Sequence, residues 1–289
     1  MKAEATLFCF GLGYSAGFLA RAVSAQGWQA LGTSRDPGAG EAEFPLHRLD
    51  RAHPLAEADK LLGAATHVLV SIPPDETGCP VCDLYGPTLV GLKKNIAWLG
   101  YLSSTNVYGD RGGAWVDESS PTRPSSTRGQ RRVAAEEAWL DLQRGAGLPV
   151  HIFRLAAIYG PGRSALDAVK AGTARRIAKP GQVFSRIAVE DLTAVLLASM
   201  ARPRPGAIYN VCDDEPASPE AVVAYAAALI GLPPPPLEDF ASAALSPMAR
   251  SFYDDNKRVA NRLIRDELGV KLRYPTYREG LAALNRAKA

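Results

Sequence analysis

A glycine-rich segment near the N-terminus has residue types and spacing suited to binding a phosphate-bearing ligand. Residues 8–20 read FCFGLGYSAGFLA, and in them Gly11, Gly13 and Ala16 have the spacing G-x-G-x-x-A between a strand-like and a helix-like run. The first glycine permits a tight turn, the second lets a pyrophosphate approach the backbone, and a small third residue allows close helix packing. The residues expected to bind a dinucleotide here are Gly11, Gly13, Tyr14, Ser15 and Gly17. The alternative is a structural turn in an unrelated α/β protein.

The second strand-like segment ends with the residues Thr33, Ser34, Arg35 and Asp36. NAD sites usually place an acid at this strand end to bind the ribose hydroxyls, whereas hydroxyls and a guanidinium suit a 2′-phosphate. Because Thr33, Ser34 and Arg35 come first, we expect NADP as the cofactor. Asp36 keeps NAD as the alternative, and Arg35 can also be read as a solvated loop arginine.

Strand-like and helix-like segments alternate through the first half of the chain. The predicted strands are residues 5–10, 28–33, 46–49, 67–72, 96–102 and 149–155, and the predicted helices are 15–26 and 133–144. This alternation predicts an α/β fold, a Rossmann-type doubly wound parallel sheet with helices on both faces.

The second half of the chain predicts a smaller, mostly helical C-terminal substrate lobe. The predicted helices are residues 190–201, 218–230, 258–268 and 276–287, with a short strand at 207–211 and an extended proline run at 233–236. We expect a dinucleotide-binding domain of 1–160 plus about 182–212, and a lobe of about 161–181 plus 213–289.

Composition restricts the partners and the location. The chain has 289 residues and a net charge of +3, from 33 basic and 30 acidic residues, which argues against nucleic acid as a partner. We find neither a secretory signal nor an apolar run of about 20 residues, so we expect a cytoplasmic protein without a membrane partner. The pair Cys79 and Cys82 has C-x-x-C spacing but lacks further metal ligands, and we interpret these residues as free loop cysteines.

Several recognisable segments follow one another along the chain. They are GLGYSAG, YLSSTNVYGD at 101–110, VDESSPTRPSS at 116–126, RLAAIYGPGR at 154–163, RIAVEDL at 186–192, YNVCDDEP at 209–216 and a C-terminal LGV…YPTYREGL. In this order they resemble the extended short-chain dehydrogenase/reductase family, in its NAD(P)-dependent epimerase/dehydratase branch. The resemblance spans nearly the whole chain.

The resemblance implies a role for individual residues. Ser104 matches the catalytic Ser/Thr that hydrogen-bonds a substrate hydroxyl or carbonyl, and Asp50 matches an acid that meets the adenine. Ser71, Ile72 and Pro73 match a loop that passes near the nicotinamide ribose. Tyr159, with Ala156 and Ile158, matches the segment that flanks the nicotinamide, and Asp191 matches a structural acid. Relatives often pair through two long helices, so a homodimer is expected.

The chain departs from the family where the catalytic tyrosine and lysine belong. Counting back from Ala135-Glu136, Arg128 stands at the tyrosine position and Arg132 at the lysine position. Arginine cannot act as a general acid or base near neutral pH, because its pKa stays above about 12. Arg132 can still contact a ribose or phosphate. Tyr108 is the candidate replacement acid, ahead of Tyr14 and Tyr159, although its family counterpart is usually structural.

Basic and aromatic residues in the second half are candidates for binding a polar or anionic substrate. The candidates are Arg128, Tyr159, Arg163, Arg186 and Tyr253. Residues 246–263 include a possible lid or pocket wall, formed by Phe252, Tyr253, Asn256, Lys257 and Arg258. For each of these residues, ordinary packing or a solvated helix face is the competing interpretation.

Two hypotheses of different classes follow. The first is an NAD(P)-dependent epimerase/dehydratase-like oxidoreductase that acts on a small polar or anionic, possibly sugar-type, substrate. The second is a non-catalytic NADP-binding sensor or regulatory protein, which the missing tyrosine favours. A weaker third is a redox enzyme of another Rossmann class.

Overall fold

The computed structural model describes residues 5–38 and 43–287. Its strands are β1 Thr6–Phe10, β2 Gln29–Ser34, β3 Leu46–Arg48, β4 His67–Val70, β5 Trp98–Ser104, β6 Trp115–Val116, β7 Val150–Leu155, β8 Ala157–Tyr159, β9 Arg176–Ala178, β10 Arg186–Ala188, β11 Ile208–Val211, β12 Leu237–Asp239 and β13 Arg258–Val259. Its α-helices are α1 Tyr14–Ser24, α2 Ala58–Gly63, α3 Pro80–Gly91, α4 Thr127–Ala146, α5 Ala165–Lys170, α6 Val189–Ala201, α7 Pro219–Leu229, α8 Pro247–Ser251, α9 Arg262–Asp266 and α10 Tyr277–Arg286.

The central sheet has seven strands in the order β11-β7-β5-β4-β1-β2-β3. The β1 strand pairs in parallel with both β2 and β4, so the chain order reverses on either side of it. Ligands of open parallel sheets bind at the carboxyl edge beside such a reversal. In the register of β1 and β4, Phe10 lies opposite Val70, so the residues after both strands emerge together at this edge. The sheet confirms the predicted α/β, Rossmann-type fold class.

The strands of the sheet are apolar because helices cover them. Every residue of β1 and β4 is buried, and Trp98 and Tyr101 of β5 have no exposed surface. Continuous apolar runs of this kind are typical of parallel strands that are buried on both faces. Two helices contribute to the same core, α3 through Val81, Tyr85 and Leu89 and α4 through Trp139 and Leu140.

Two local expectations are wrong in detail. The predicted helix at 258–268 begins with a strand, since β13 pairs with β6 and α9 starts only at Arg262. Cys79 and Cys82 do not lie in a loop, because Cys79 is the N-cap of α3 and Cys82 lies in its first turn. Pro80 occupies the first turn of α3, where the missing N–H of proline has no cost. The preceding Pro73-Pro74 and Gly78 are typical of a loop, and for this reason the sequence analysis did not predict a helix start at Cys79.

Close packing divides the chain into two compact units. Unit 1 comprises Met1–Ser104, Gln130–Arg154 and Thr193–Tyr209, and unit 2 comprises Thr105–Gly129, Leu155–Leu192 and Asn210–Ala289. Unit 2 has its own apolar cluster, which includes Leu166, Val222 and Leu281. The division into a dinucleotide-binding domain and a substrate lobe stays a prediction, and its residues 1–4, 39–42 and 288–289 lie outside the described ranges. Among the described helices, none is long and apolar enough to span a membrane.

Candidate dinucleotide-binding site

The glycine turn connects β1 to α1 and lies within unit 1. Gly11 has a φ of +84°, a conformation that residues with a side chain rarely adopt. A Cβ atom at Gly11 would lie 2.8 Å from the Ser71 Oγ and 2.9 Å from the Ile72 Cγ1. Gly11 is therefore required by both its backbone conformation and the close approach of the segment that follows β4.

Side chains from the two neighbouring strands hold this turn. The Gly11 N–H donates to the Thr33 Oγ1 at 2.9 Å, and the Leu12 N–H donates to the Thr33 carbonyl oxygen at 2.8 Å. The Ser71 hydroxyl donates to the Gly11 carbonyl oxygen. Thr33 is 1% exposed, so its hydroxyl group contacts the protein interior rather than the solvent. Thr33 and Ser71 thus shape the turn, a role that the sequence analysis did not assign to them.

The N-terminus of α1 follows the turn and has a backbone geometry suited to binding an anion. Gly13 is the N-cap, no side chain caps the helix, and the first turn contains no acidic residue. A Cβ atom at Gly13 would meet nothing within 4 Å, so space lies open beside this backbone. Ala16 and Gly17 are buried, which lets the helix pack closely against the sheet. The orientation of the first N–H groups of the helix and the helix dipole both favour a negatively charged group here.

A cavity of about 490 Å³ opens beside the glycine turn. Its lining residues all belong to unit 1 and are Gly11, Leu12, Gly13, Thr33, Ser34, Arg35, Leu49, Asp50, Arg51, Ser71, Ile72, Pro73, Asp75, Pro80 and Leu84. Nine of the predicted cofactor-binding residues are therefore brought together around one cavity. Tyr14, Ser15, Gly17 and Asp191 are not among its lining residues, and neither is Arg132.

Arg35 and Asp36 differ in their relation to this cavity. Arg35 lines it and, among the residues that the structure describes, has no hydrogen-bond or ion-pair partner. Asp36 does not line it, and its backbone N–H donates to the Ser34 Oγ at 3.2 Å. Of the two charged residues at the end of β2, the one that lines the cavity is thus the cation and not the carboxylate.

Asp50 lines the cavity but is already engaged in its own turn. Its Oδ1 accepts hydrogen bonds from the N–H groups of Ala52 and His53, both at 2.9 Å, and from the His53 ring. These hydrogen bonds, first that of the His53 side chain, hold the pKa of Asp50 below its ordinary value. Asp50 therefore fixes the loop after β3 in addition to facing the cavity.

Arg51 is a lining residue that sequence reasoning missed. Its guanidinium forms ion pairs with Asp75 at 2.5 Å and with Asp83 at 2.7 Å. These partners lie 24 and 32 residues away in the chain, and no periodicity or motif links them. The one feature of the sequence that could have indicated Arg51 as a lining residue is its position directly after Asp50.

Ser104 is the last residue of β5, at the same carboxyl edge of the sheet as Gly11 and Ser71. In the neighbouring helix α4, the Arg132 Nη1 donates to the Leu102 carbonyl oxygen at 2.7 Å and to the Tyr101 hydroxyl at 3.1 Å. Arg132 therefore braces the end of the strand that carries Ser104. Burial raises the pKa of the Tyr101 phenol, which disfavours proton exchange by this group.

A buried polar network anchors α4 on the sheet. Glu136 accepts hydrogen bonds from the Ser103 hydroxyl and from the Arg154 guanidinium, whose Nη2 lies 2.7 Å from Oε2. The two charged side chains are only 3% and 5% exposed. Both charges are paired, and the network fixes the register of α4 against β5 and β7. Sequence reasoning used Glu136 only to count positions and missed this role.

Tyr108 does not have the location of a replacement acid. It lies in unit 2, has no exposed surface, and donates its hydroxyl hydrogen to the Asn210 Oδ1 at 2.8 Å. A fully buried phenol that is bound to an amide has no path for exchanging a proton with a ligand. The structure therefore argues against Tyr108 as an acid and supports the structural role of its family counterpart.

Three of the other predicted substrate residues are largely enclosed within unit 2. Tyr159 and Tyr253 are 7% and 9% exposed, and burial raises the pKa of both phenols. The Arg186 Nη1 donates to the carbonyl oxygens of Phe184 and Ala217, at 2.8 and 3.0 Å. Arg163 is exposed and lines a shallow surface depression with Tyr159. These positions give Tyr253 and Arg186 packing roles.

Arg128 is exposed in the first turn of α4, and its guanidinium lies 5.4 Å from the centre of the Phe252 ring. Both residues belong to unit 2, and Phe252 is 45% exposed. This contact joins the candidate substrate arginine to the segment expected to form a lid. The Asp191 carboxylate accepts hydrogen bonds from the N–H groups of Arg273 and Tyr274, and its structural role in the family stays a prediction for this chain.

The sequence matches known proteins along most of its length. Residues 90–212 match the family described as the NAD dependent epimerase/dehydratase family. Protein YeeZ of Escherichia coli (strain K12) is 30% identical over 281 residues, which cover 92% of this chain and 94% of YeeZ. The chain belongs to the NAD-dependent epimerase/dehydratase family, which confirms the resemblance seen in its motifs.

Solved structures agree with this assignment. A protein from Silicibacter pomeroyi DSS, described as functionally unknown and conserved, is 51% identical with a TM-score of 0.90, covering 99% of each chain. The dTDP-glucose 4,6-dehydratase of Bacillus anthracis str. Ames, solved in complex with NAD, is 17% identical with a TM-score of 0.74. That similarity covers 98% of this chain and 96% of the dehydratase, and at this identity it shows the shared fold alone.

Proposed function

We propose that this protein binds NADP in the cavity of unit 1 and uses it as an oxidoreductase or epimerase-like enzyme. The observation that carries the cofactor proposal is the cavity itself. The glycine turn lines it at one place, and Arg35, which has no partner among the described residues, lines it at another. A dinucleotide needs a close backbone approach for its pyrophosphate, and NADP also needs a cation for its 2′-phosphate.

The residues present fit such a cofactor. The close packing of Ser71 and Ile72 around Gly11, together with the open space beside Gly13, leaves a cradle that a side chain at Gly13 would fill. Gly13 and the N-terminus of α1 would hold the pyrophosphate, Arg35 the 2′-phosphate, and Asp50 the adenine end. When bound, the nicotinamide supplies hydride transfer.

The chain's own residues would position a substrate. Ser104, at the carboxyl end of β5, would donate a hydrogen bond to a substrate hydroxyl or carbonyl oxygen. Arg132 holds the end of that strand through Leu102 and so keeps Ser104 in place. Arg128 would bind an anionic group of the substrate. MoeE5, which shares this fold, was solved in complex with UDP-glucose and NAD, and this supports our proposal of a small polar or anionic, sugar-type substrate.

Binding of the two cofactors tests the first half of the proposal. We expect NADPH, followed by nicotinamide fluorescence, to bind about 10- to 150-fold more tightly than NADH, the range for one charge-assisted contact. The variant Arg35→Gln should lose that preference and keep NADH affinity. The control is Arg144→Gln, which changes the same charge in unit 1 at a residue that does not line the cavity. Absence of binding by either cofactor would refute the proposal.

A non-catalytic NADP sensor is the second candidate, and the replacement of the tyrosine and lysine by Arg128 and Arg132 favours it. Hydride transfer from labelled NADPH to a panel of nucleotide sugars, ketones and acids separates the two. An enzyme should show turnover that Ser104→Ala reduces by about 100- to 1000-fold, the usual effect of removing one positioned hydrogen-bond donor to a reacting oxygen. Tight NADPH binding without transfer to any acceptor would favour the sensor. A cytoplasmic homodimer is proposed in either case.

A further inference from the structure

Arg51 occupies a distinct position among the residues that line the cavity of unit 1. It follows the adenine-end acid Asp50, and its side chain is 32% exposed. The neighbouring lining residues Leu49, Pro80 and Leu84 are apolar. A charged, planar side chain therefore lines the cavity together with these apolar residues and the carboxylates of Asp50 and Asp75.

The backbone at Arg51 is fixed by a closed turn. The Asp50 N–H donates to the His53 carbonyl oxygen, and the His53 N–H donates back to the Asp50 carbonyl oxygen, both at 3.2 Å. The Asp50 carboxylate also accepts from the N–H groups of Ala52 and His53. The side chain of Arg51 therefore projects from a backbone turn that these hydrogen bonds hold in one conformation.

The guanidinium is fixed along one edge. Its Nε and Nη2 donate to the two oxygens of Asp75, at 2.5 and 3.0 Å, and Nη2 also donates to the Asp83 Oδ2 at 2.7 Å. Nη1 has no hydrogen bond to any residue in the described part of the chain. This bidentate hydrogen bonding to Asp75, with the further hydrogen bond to Asp83, holds the guanidinium plane in one orientation.

The two carboxylates are themselves held in place. Asp75 accepts hydrogen bonds from the N–H and the hydroxyl of Thr77, at 2.9 and 2.8 Å. Gly78 has a φ of +138°, and a Cβ atom there would lie 2.9 Å from the Asp83 Oδ2. Gly78 therefore permits the approach of Asp83 that completes the clamp on Arg51.

We propose that the clamped guanidinium of Arg51 is the stacking surface for the purine ring of the cofactor, and so a positioning residue for its adenosine half. A guanidinium plane stacks on a flat π-system, and fixing it beforehand removes most of the entropy cost of forming that contact. The ion pairs with Asp75 and Asp83 also raise the pKa of Arg51, so its charge persists at every accessible pH. The inference rests on the proposed function, because it assumes that the cavity binds the adenosine half.

The test compares a probe that contains the ring with one that lacks it. Binding of ADP and of inorganic pyrophosphate is measured by calorimetry for the wild type, Arg51→Ala and Arg51→Lys. The control is Arg144→Ala, since Arg144 also pairs with two carboxylates in unit 1 but does not line the cavity. Thermal unfolding of each variant reports its folding.

We expect Arg51→Ala to weaken ADP binding about 5- to 30-fold, the range for a partly desolvated cation–π contact. Arg51→Lys should lose nearly as much, because lysine keeps the charge but lacks the plane. Pyrophosphate binding should stay within about twofold in all variants.

Two results would overturn the inference and leave the proposed function standing. One is wild-type ADP affinity in Arg51→Ala. The other is an equal loss of ADP and pyrophosphate binding, which would give Arg51 a purely structural role. Failure of the wild type to bind ADP, pyrophosphate and NADPH would instead refute the proposed function.

Discussion

Replacing Gly13 with alanine should affect cofactor binding at the glycine turn without preventing the protein from folding. Gly13 has a φ of −94° and a ψ of −157°, so alanine can adopt its conformation. The added Cβ would meet no atom within 4 Å. The folded protein should therefore accept Gly13→Ala without a steric clash. The reduced freedom of the unfolded chain favours the variant by about 0.4–1 kcal/mol, but alanine is a poorer N-cap than glycine by a similar amount, so the free energy of unfolding should stay within about 1 kcal/mol of the wild type.

The same methyl group occupies the space through which the pyrophosphate must approach the backbone. The expected loss of NADPH affinity follows from the hydrogen bonds that the added methyl group prevents. A hydrogen bond from a backbone N–H to a charged oxygen contributes about 1.5–3 kcal/mol, and the N-terminus of α1 adds about 0.3–1 kcal/mol. Losing one such hydrogen bond corresponds to a Kd for NADPH that is about 10- to 150-fold higher.

The assay is a fluorescence titration with NADPH, paired with urea unfolding of the same samples. Gly145→Ala in α4 is the matched control, because a Cβ atom at Gly145 also meets nothing within 4 Å and Gly145 does not line the cavity. It should bind NADPH as the wild type does. Wild-type affinity in Gly13→Ala would refute the reasoning, since the pyrophosphate could not then lie against Gly13.

Three further variants or conditions test how the site is held. Thr33→Val removes the acceptor for a partly buried N–H and should lower the free energy of unfolding by about 1–3 kcal/mol, whereas Thr33→Ser should retain most of it in urea titrations. Glu136→Gln leaves the buried charge of Arg154 without a counter-charge and should cost about 3–5 kcal/mol; a loss below about 1 kcal/mol would contradict the anchoring role. Burial lowers the pKa of His67 and of His151 to about 4 from 6.5, so the unfolded chain takes up these protons first as the pH falls. Stability should therefore be retained above pH 6.5 and lost between about pH 6.5 and 4, by about 3 kcal/mol for each histidine, and a flat stability profile over this range would contradict it.

Local chemistry made much of this protein predictable from its sequence. The glycine spacing at residues 11–17 specified a strand–turn–helix, because only glycine tolerates the conformation of Gly11 and only a small residue fits at Ala16. Apolar runs such as β4 indicated a buried parallel sheet. The positions of the strand ends followed from those runs to within two residues, since the strands predicted at 28–33 and 67–72 end at Ser34 and Val70. Periodicity failed at β13, because two residues are too few to show a period.

Tertiary structure alone decided which polar groups face a ligand and which hold the protein together. Thr33 and Arg35 are neighbours in the sequence, yet Thr33 binds the Gly11 N–H and Arg35 stays unpartnered among the described residues. Arg51 meets Asp75 and Asp83 only because the loop after β3 and the start of α3 approach the same cavity. Such pairings depend on chain segments that are distant in sequence, and residue type carries no information about them. The sequence thus determined the nucleotide-binding turn, and the fold decided what surrounds it.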